Sequence, residues 1–357
     1  MKTYIKFLTK IYLSSFFYVF LIMFSLVFIL NLLSELDFFK DVNVHSLFPL
    51  YLSFLNTPTL IFEMFPFIFL IATQLFFINL FNNNEINIFK YSGLRNSSIL
   101  MIISATAFVL GLLIIIIFYN FSSNLKNFYL EMKSGYTDDG KYLAVINKNG
   151  LWIKDKKDEN IIIINASKIE KNLILNAFIS EFDENYEIIR NIKSPKIDIK
   201  KKNWIIYDAE IFKDNQKENF DLIEINTSFN SEIIQNLFSN LSSLSLIELY
   251  ELRNNYKKLN YSLTDVNLHI LKLVSYPIYF ILMTIFSAII MLNTLKFKNS
   301  ILKVSIGLFF SVIIYYLNNF FNVLGNTEKM NLIASVLIPL AILSLINITM
   351  LKNYNAK

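Results

Sequence analysis

The chain has no cysteine and two histidines, and its 357 residues include only seven glycines and six prolines. Without cysteine there is no disulfide framework, no thiol nucleophile and no thiolate metal site. His45 and His269 stand too far apart to form a metal-ligand motif. Few glycines leave little scope for a phosphate-cradling loop. None of Gly93, Gly111, Gly135, Gly140, Gly150, Gly307 and Gly325 begins or ends a Walker A pattern, and neither GxSxG nor HExxH occurs. Charge is scarce too: 17% of residues are charged and 54% hydrophobic, where a soluble domain is about a quarter charged. The net charge of +5 is not gathered into a basic domain, which argues against nucleic acid.

What the chain has instead is long apolar runs. A bilayer core takes about 20 apolar residues per helix, and six segments qualify: 11–33, 58–80, 99–119, 273–292, 303–324 and 332–351. The first is long and lacks a small-residue cleavage site, so it reads as a retained helix and not a signal peptide. Lysine and arginine sort between the short connections. Lys2, Lys6 and Lys10 precede the first span, Lys90 and Arg95 follow the second, and Lys296, Lys298 and Lys303 join the fourth and fifth. Lys352 and Lys357 end the chain, while Glu35, Asp37, Lys40 and Asp41 fall in one opposite loop and Glu328 with Lys329 in another. The positive-inside rule then predicts cytoplasmic termini and a non-cytoplasmic segment between spans three and four.

That segment changes character. KYLAVINKNGLWIKD, ENIIIINASKI, NYEIIRNIKSPKIDIKKKNWIIYDAEIF and FDLIEINTSF are short Ile-, Tyr-, Trp- and Phe-rich runs broken by turn residues. They predict an antiparallel all-β domain, with the clearest hairpin around Trp204. SLSLIELYELRNNYKKLNY after it reads as an amphipathic helix returning to the membrane. The predicted division is spans one to three over 1–120, a β-domain over 121–240, a return segment over 241–270 and spans four to six over 271–357. No internal repeat is visible.

The stretch FNNNEINIFKYSGLRNSS, residues 81–98, stands between two membrane-length runs. Ile86, Phe89 and Leu94 can share one face of a short helix over about 82–93, with Glu85, Asn87 and Lys90 elsewhere. Gly93 suits a left-handed C-cap and Asn96 or Ser97 the next N-cap. Such a helix can dock in a groove of a soluble partner or lie on the lipid surface as a linker. Glu63, one turn into the second span, is an acid within an apolar run; it reads as interfacial, with a functional role as the alternative.

NEINIFKYSGLRNSS resembles the coupling segment of the lipopolysaccharide export permeases, the LptF/LptG (YjgP/YjgQ-type) family. Further resemblances are Pro58 and Pro66 in the second span, and NKNGLWIKD, which is similar to the LptG form. SLSLIELYELRNNYKKLNYSLTDVNLHILKLVSYP and YYLNNFF before NLIASVLIPLAILSLINITML also match the family in order and spacing. The resemblance implies a six-helix membrane protein with an inserted periplasmic β-jellyroll-like domain, in the inner membrane. It implies a permease subunit of an ABC transporter that extracts lipopolysaccharide and passes it to a periplasmic bridge. The implied partners are an LptF-like permease, an LptB-like ATPase dimer that binds the ATP, and LptC/LptA-like bridge proteins; no cofactor or catalytic site is implied. Glu85, Ile86, Phe89 and Gly93 would contact the ATPase, and spans one and five would form gates.

Three departures stand out. Asn84 replaces the usual Ser, no basic residue ends the first span, and a proline is missing after the third. Headgroup contacts would then fall to Lys40, Lys126, Lys133 and Lys272, each of which also reads as a plain solvated lysine. A permease acting on lipoproteins or periplasmic partners is one alternative, although such proteins usually have four spans. A receptor or scaffold is the other, although the cytoplasmic segments are too short for an output domain.

Overall fold

The structure is a computed structural model. It describes residues 3–42, 44–134, 136, 151–157, 160–170, 172–183, 186–213, 216–227, 230–231, 234, 240–258, 262–293 and 300–355. The KYLAVINKNG stretch and the 294–299 connection lie outside them. Two compact units emerge, one made of Met1–Tyr129 with Thr264–Lys357 and the other of Leu130–Leu263.

Six helices in the described residues are long and apolar enough to cross a membrane. α1 spans Thr3–Phe38 and α2 Phe48–Asn82, and α3, Glu85–Tyr91, follows across a short turn. The third span begins as α4 (Asn96–Leu113), passes through a π-helical segment at Ile114–Tyr119 and continues as α5 (Asn120–Ser134). After the β-strands come α6 (Leu246–Lys258), α7 (Thr264–Asn293), α8 (Ser300–Asn326) and α9 (Leu332–Asn355).

The helices overrun the apolar windows. No glycine or proline interrupts residues 3–38, so nothing stops the backbone hydrogen-bond ladder where hydropathy falls. Glu35 therefore sits in the last turns of α1 and not in a loop, and is only 2% exposed. Glu63 lies about four turns inside α2 instead of one. The expected polar cap on α4 is absent: Arg95 holds that position without a side-chain bond.

The core of the first unit joins α2, α7 and α9 through Leu70, Tyr279, Met283, Phe286, Ile290 and Leu343. Phe69 and Phe280 stack at 4.6 Å, and Tyr12 on α1 bonds Thr284 at 3.2 Å. Gln74 on α2 reaches α8, where its Nε2 donates to the Lys303 carbonyl at 3.3 Å. A side chain at Gly307 would overlap that amide, so glycine makes the crossing possible.

The second unit holds a six-stranded antiparallel sheet in sequence order. Its strands are β1 (Leu151–Lys157), β2 (Asn160–Glu170), β3 (Leu173–Phe182), β4 (Ile188–Asp198), β5 (Asn203–Lys213) and β6 (Gln216–Asn226). This is an up-and-down meander without the Greek-key crossings of a jelly roll among the described strands. The hairpin expected around Trp204 is β4–β5, and Trp204 is fully buried. Ile164, Ile179, Ile192 and Ile211 align across β2 to β5; Ile174, Ile197 and Ile206 form a second row across β3 to β5. All are buried, although the rows are an odd number of residues apart, which period-two alternation would send to opposite faces.

The register explains this. Asn176 (φ 50), Pro195 and Asp208 (φ 49) lie opposite one another, and each strand passes one residue there without turning its apolar set over. Asn and Asp tolerate the left-handed region better than other non-glycine residues. The return segment opens with a capping box: Ser245 N–H donates to Glu248 Oε2 at 2.7 Å and Glu248 N–H to Ser245 Oγ at 3.4 Å. In α6, Leu249 and Leu252 are buried while Ile247 and Tyr250 are exposed, the amphipathic pattern expected.

Candidate functional site

Two places in the first unit concentrate the residues singled out above. The first is the connection between α2 and α4. Asn84 takes φ 56 and so breaks α2, and its carbonyl accepts from Asn87 and Ile88 N–H to start α3. Gly93 adopts φ 78, and the Leu94 N–H closes back on the Phe89 carbonyl at 2.9 Å, the long bond of a Schellman cap.

This geometry sorts the side chains. Ile86 is 4% exposed, and the Phe89 ring packs edge-on against Phe7 of α1 at 6.1 Å, so both anchor the helix to its own chain. Facing outward are Ile88 and Tyr91, the latter 91% exposed. Glu85 accepts from Asn83 Nδ2 at 3.5 Å through Oε1. Its Oε2 is buried with no hydrogen-bond partner among the described residues. The Glu85 carboxylate therefore keeps one buried oxygen whose hydrogen bonding the described residues do not satisfy.

The second place is where α1, α2 and α5 meet. Asn31 Nδ2 donates to the Ser53 carbonyl at 3.1 Å, and Asn56 Nδ2 to Asn31 Oδ1 at 3.0 Å. Lys126 Nζ donates to Asn56 Oδ1 at 2.6 Å and lies 4.5 Å from the centre of the Tyr129 ring. The Tyr129 hydroxyl donates to Glu35 Oε1 at 2.8 Å. Asn31 and Glu35 are one turn apart on α1, so both reach the same side. Lysine can only donate, which forces Asn56 to offer its oxygen to Lys126 and its amide group to Asn31.

Beside this network Glu63 is exposed on the bundle, close enough to Lys126 and Lys272 to feel both charges. The π-helical segment ends at Tyr119, whose hydroxyl is 3.0 Å from His269 Nε2; such segments re-aim side chains and recur at functional sites. Of the four lysines expected at the headgroup, Lys126 and Lys272 come together around Glu63. Lys40 is exposed in the turn after α1, and Lys133 is buried in the last turn of α5. Sequence reasoning missed Asn31, Asn56, Tyr119, Tyr129 and His269. Polar groups inside apolar spans were the available signal for Asn31.

Six apolar helices, an inserted antiparallel sheet and a short helix between spans two and three define a multi-pass membrane protein of the 3+3 type. The model of the family described as lipopolysaccharide export system permease LptF/LptG matches residues 6–353, so the chain belongs to the LptF/LptG family. That family consists of the membrane permeases of an ABC-type lipopolysaccharide export system, and its model covers LptF and LptG alike. No match was found among curated proteins.

Proposed function

We propose that this chain pairs with a paralogous permease and a cytoplasmic ATPase dimer in the inner membrane. In that complex it takes lipopolysaccharide laterally from the outer leaflet and passes it to a periplasmic β-rich bridge. The lysine distribution supports cytoplasmic termini and a periplasmic β unit. The observation that carries the reading is the family match over residues 6–353.

ATP would be bound by the partner, and its motion would enter through α3. The contact surface on this side would be Ile88 and Tyr91, with Glu85 at the start of the helix and Ile86, Phe89 and the Gly93 cap holding it in place. Glu63 supports a polar cavity: an acid is costly against acyl chains but not against water or headgroups. Lys126 and Lys272 are the cations there for a phosphorylated headgroup. The outward residues of α1 and α8 would meet the second permease as gates, and the sheet would dock to the bridge.

The test is a mild-detergent purification of the tagged chain, with co-purifying proteins identified by mass spectrometry. A P-loop ATPase and a second six-helix permease are expected. Glu85→Lys should lose the ATPase at least tenfold while still inserting. Recovery of the chain alone, under conditions that keep a known ABC complex intact, would overturn the reading.

A further inference from the structure

At one level of the sheet the strand pairing opens. Asn176 is skipped in the pairing of β3 with β2 and with β4, Ser194 and Pro195 are skipped against β5, and Asp208 is skipped against β6. Pro195 has no N–H to offer a neighbour, and Asn176 and Asp208 both hold positive φ. Ser194, 2% exposed, fixes the gap: its Oγ donates to the Tyr207 carbonyl at 2.6 Å and accepts from the Lys196 N–H at 3.1 Å. The opening leaves a recess of about 390 Å³ lined by Asn176, Phe178, Lys193, Pro195, Asp208 and Glu210. Small-molecule sites occupy about 300–1,000 Å³, so this one suits a small ligand.

The lining narrows what can sit there. Asn176 and Asp208 are exposed, and neither side chain makes a hydrogen bond within the chain. Two strand spacings set them about 10 Å apart, with Pro195 between them and the Phe178 ring, 42% exposed, alongside. One lysine, Lys193, lines the recess against two acids, and Glu210 is already paired with Lys217 at 2.9 Å. That balance repels a phosphate or any other polyanion. An acyl chain would strip water from Asn176 and Asp208 and return no hydrogen bond. An extended peptide pairs along a strand, whereas this recess crosses three. A neutral, hydroxyl-rich ring meets every group: its C–H face rests on Phe178 and Pro195, and its polar edge meets the amide and the carboxylate. We infer that the recess binds a neutral acetamido saccharide about two rings long, of the kind found in the glycan strand of the cell wall. Asp208 accepts from an acetamido N–H or a hydroxyl, Asn176 donates to a ring substituent oxygen, and Phe178 stacks. This goes beyond the permease reading and shares with it only the place of the β unit outside the cytoplasm.

The experiment uses the full chain in lipid nanodiscs, which avoids the sugar headgroups of maltoside detergents. Saturation-transfer NMR follows titration with the β-1,4-linked tetramer of N-acetylglucosamine. The saccharide released from lipopolysaccharide by mild acid is added as a competitor. In parallel, the nanodiscs are sedimented with cell-wall sacculi stripped of their peptides. Asp208→Asn and Asn176→Asp are the main variants, because both residue types tolerate positive φ and the sheet keeps its register. Phe178→Ala removes the platform, and Phe212→Ala, at a ring 38% exposed on β5 and outside the recess, is the control.

The expected result is saturable binding of the tetramer and retention on the stripped sacculi. Asp208→Asn should weaken the tetramer by about tenfold, as loss of a hydrogen bond to a charged group does. Phe178→Ala should weaken it by at least about threefold, Asn176→Asp should also weaken it, and Phe212→Ala should leave it unchanged. No binding of the tetramer by the parent chain overturns the proposal, as does equal binding by the parent and the three recess variants. Displacement of the tetramer by the released saccharide, without retention on sacculi, overturns the assignment to the cell wall. None of these outcomes touches co-purification with an ATPase, so the permease reading stands or falls separately.

Discussion

The bundle contains two pairs of helices built on opposite plans. In their most apolar windows α2 and α7 are 67% and 61% buried, whereas α1 and α8 are 22% and 17% buried. The four helices are similarly apolar, so composition does not separate them. What separates them is where the large side chains point. Phe65, Phe69, Phe280 and Phe286 face inward from α2 and α7, while Leu30 and Leu33 on α1 and Phe309, Tyr316 and Phe320 on α8 face outward. Helices buried over most of their apolar length form a scaffold, and helices exposed over most of theirs are the ones a second subunit or a lipid can engage. Among the contacts that hold α1 and α8 are the packing of Phe16 against Phe65 and Phe69, Tyr12 to Thr284, the Asn31 and Glu35 network, and Gln74 in the notch at Gly307.

The contrast can be broken by substitution. Phe280→Ala removes a ring stacked at 4.6 Å on Phe69 and should destabilise the chain by about 3–5 kcal/mol. Phe309→Ala on the exposed side of α8 should change the stability of the isolated chain by less than about 0.5 kcal/mol. Equal losses in detergent unfolding of the two variants would erase the distinction. Gly307→Leu forces the Gln74 amide out of its notch and should cost about 1–3 kcal/mol. It should also loosen α8 specifically, seen as faster proteolysis or hydrogen exchange there than in α7. A small loss, about 0.6 kcal/mol, is expected for Tyr12→Phe, because membrane hydrogen bonds contribute little on average. A loss above about 2 kcal/mol there would mean that the attachment of α1 is more concentrated than described.

The elements easiest to read in the sequence are those where one physical rule dominates. The six spans follow from the exclusion of polar backbone from lipid. Gly93 follows from the need for a left-handed residue after a short helix, and the β4–β5 hairpin from alternation about Trp204. Helix limits were harder, because hydropathy measures what lipid accepts while the helix persists until a glycine, proline or broken ladder stops it. Glu35 and Glu63 were misplaced for that reason. In the coupling segment the apolar anchors were recognisable but their direction was not: the turn at Asn84 sends Ile86 and Phe89 inward and leaves Ile88 and Tyr91 out. The Lys126 network joins residues from three helices, a proximity that only tertiary packing creates.

The row of Asn176, Pro195 and Asp208 has a consequence for how this sheet can change over generations. Each of the three strands carries its extra residue at the same level. Deleting the residue from one strand alone would turn half of that strand inside out relative to its neighbours. The three positions therefore share a reading frame: a gain or loss of length in one is tolerated only when the adjacent strands change with it. The middle of the sheet should admit single-residue insertions hardly at all.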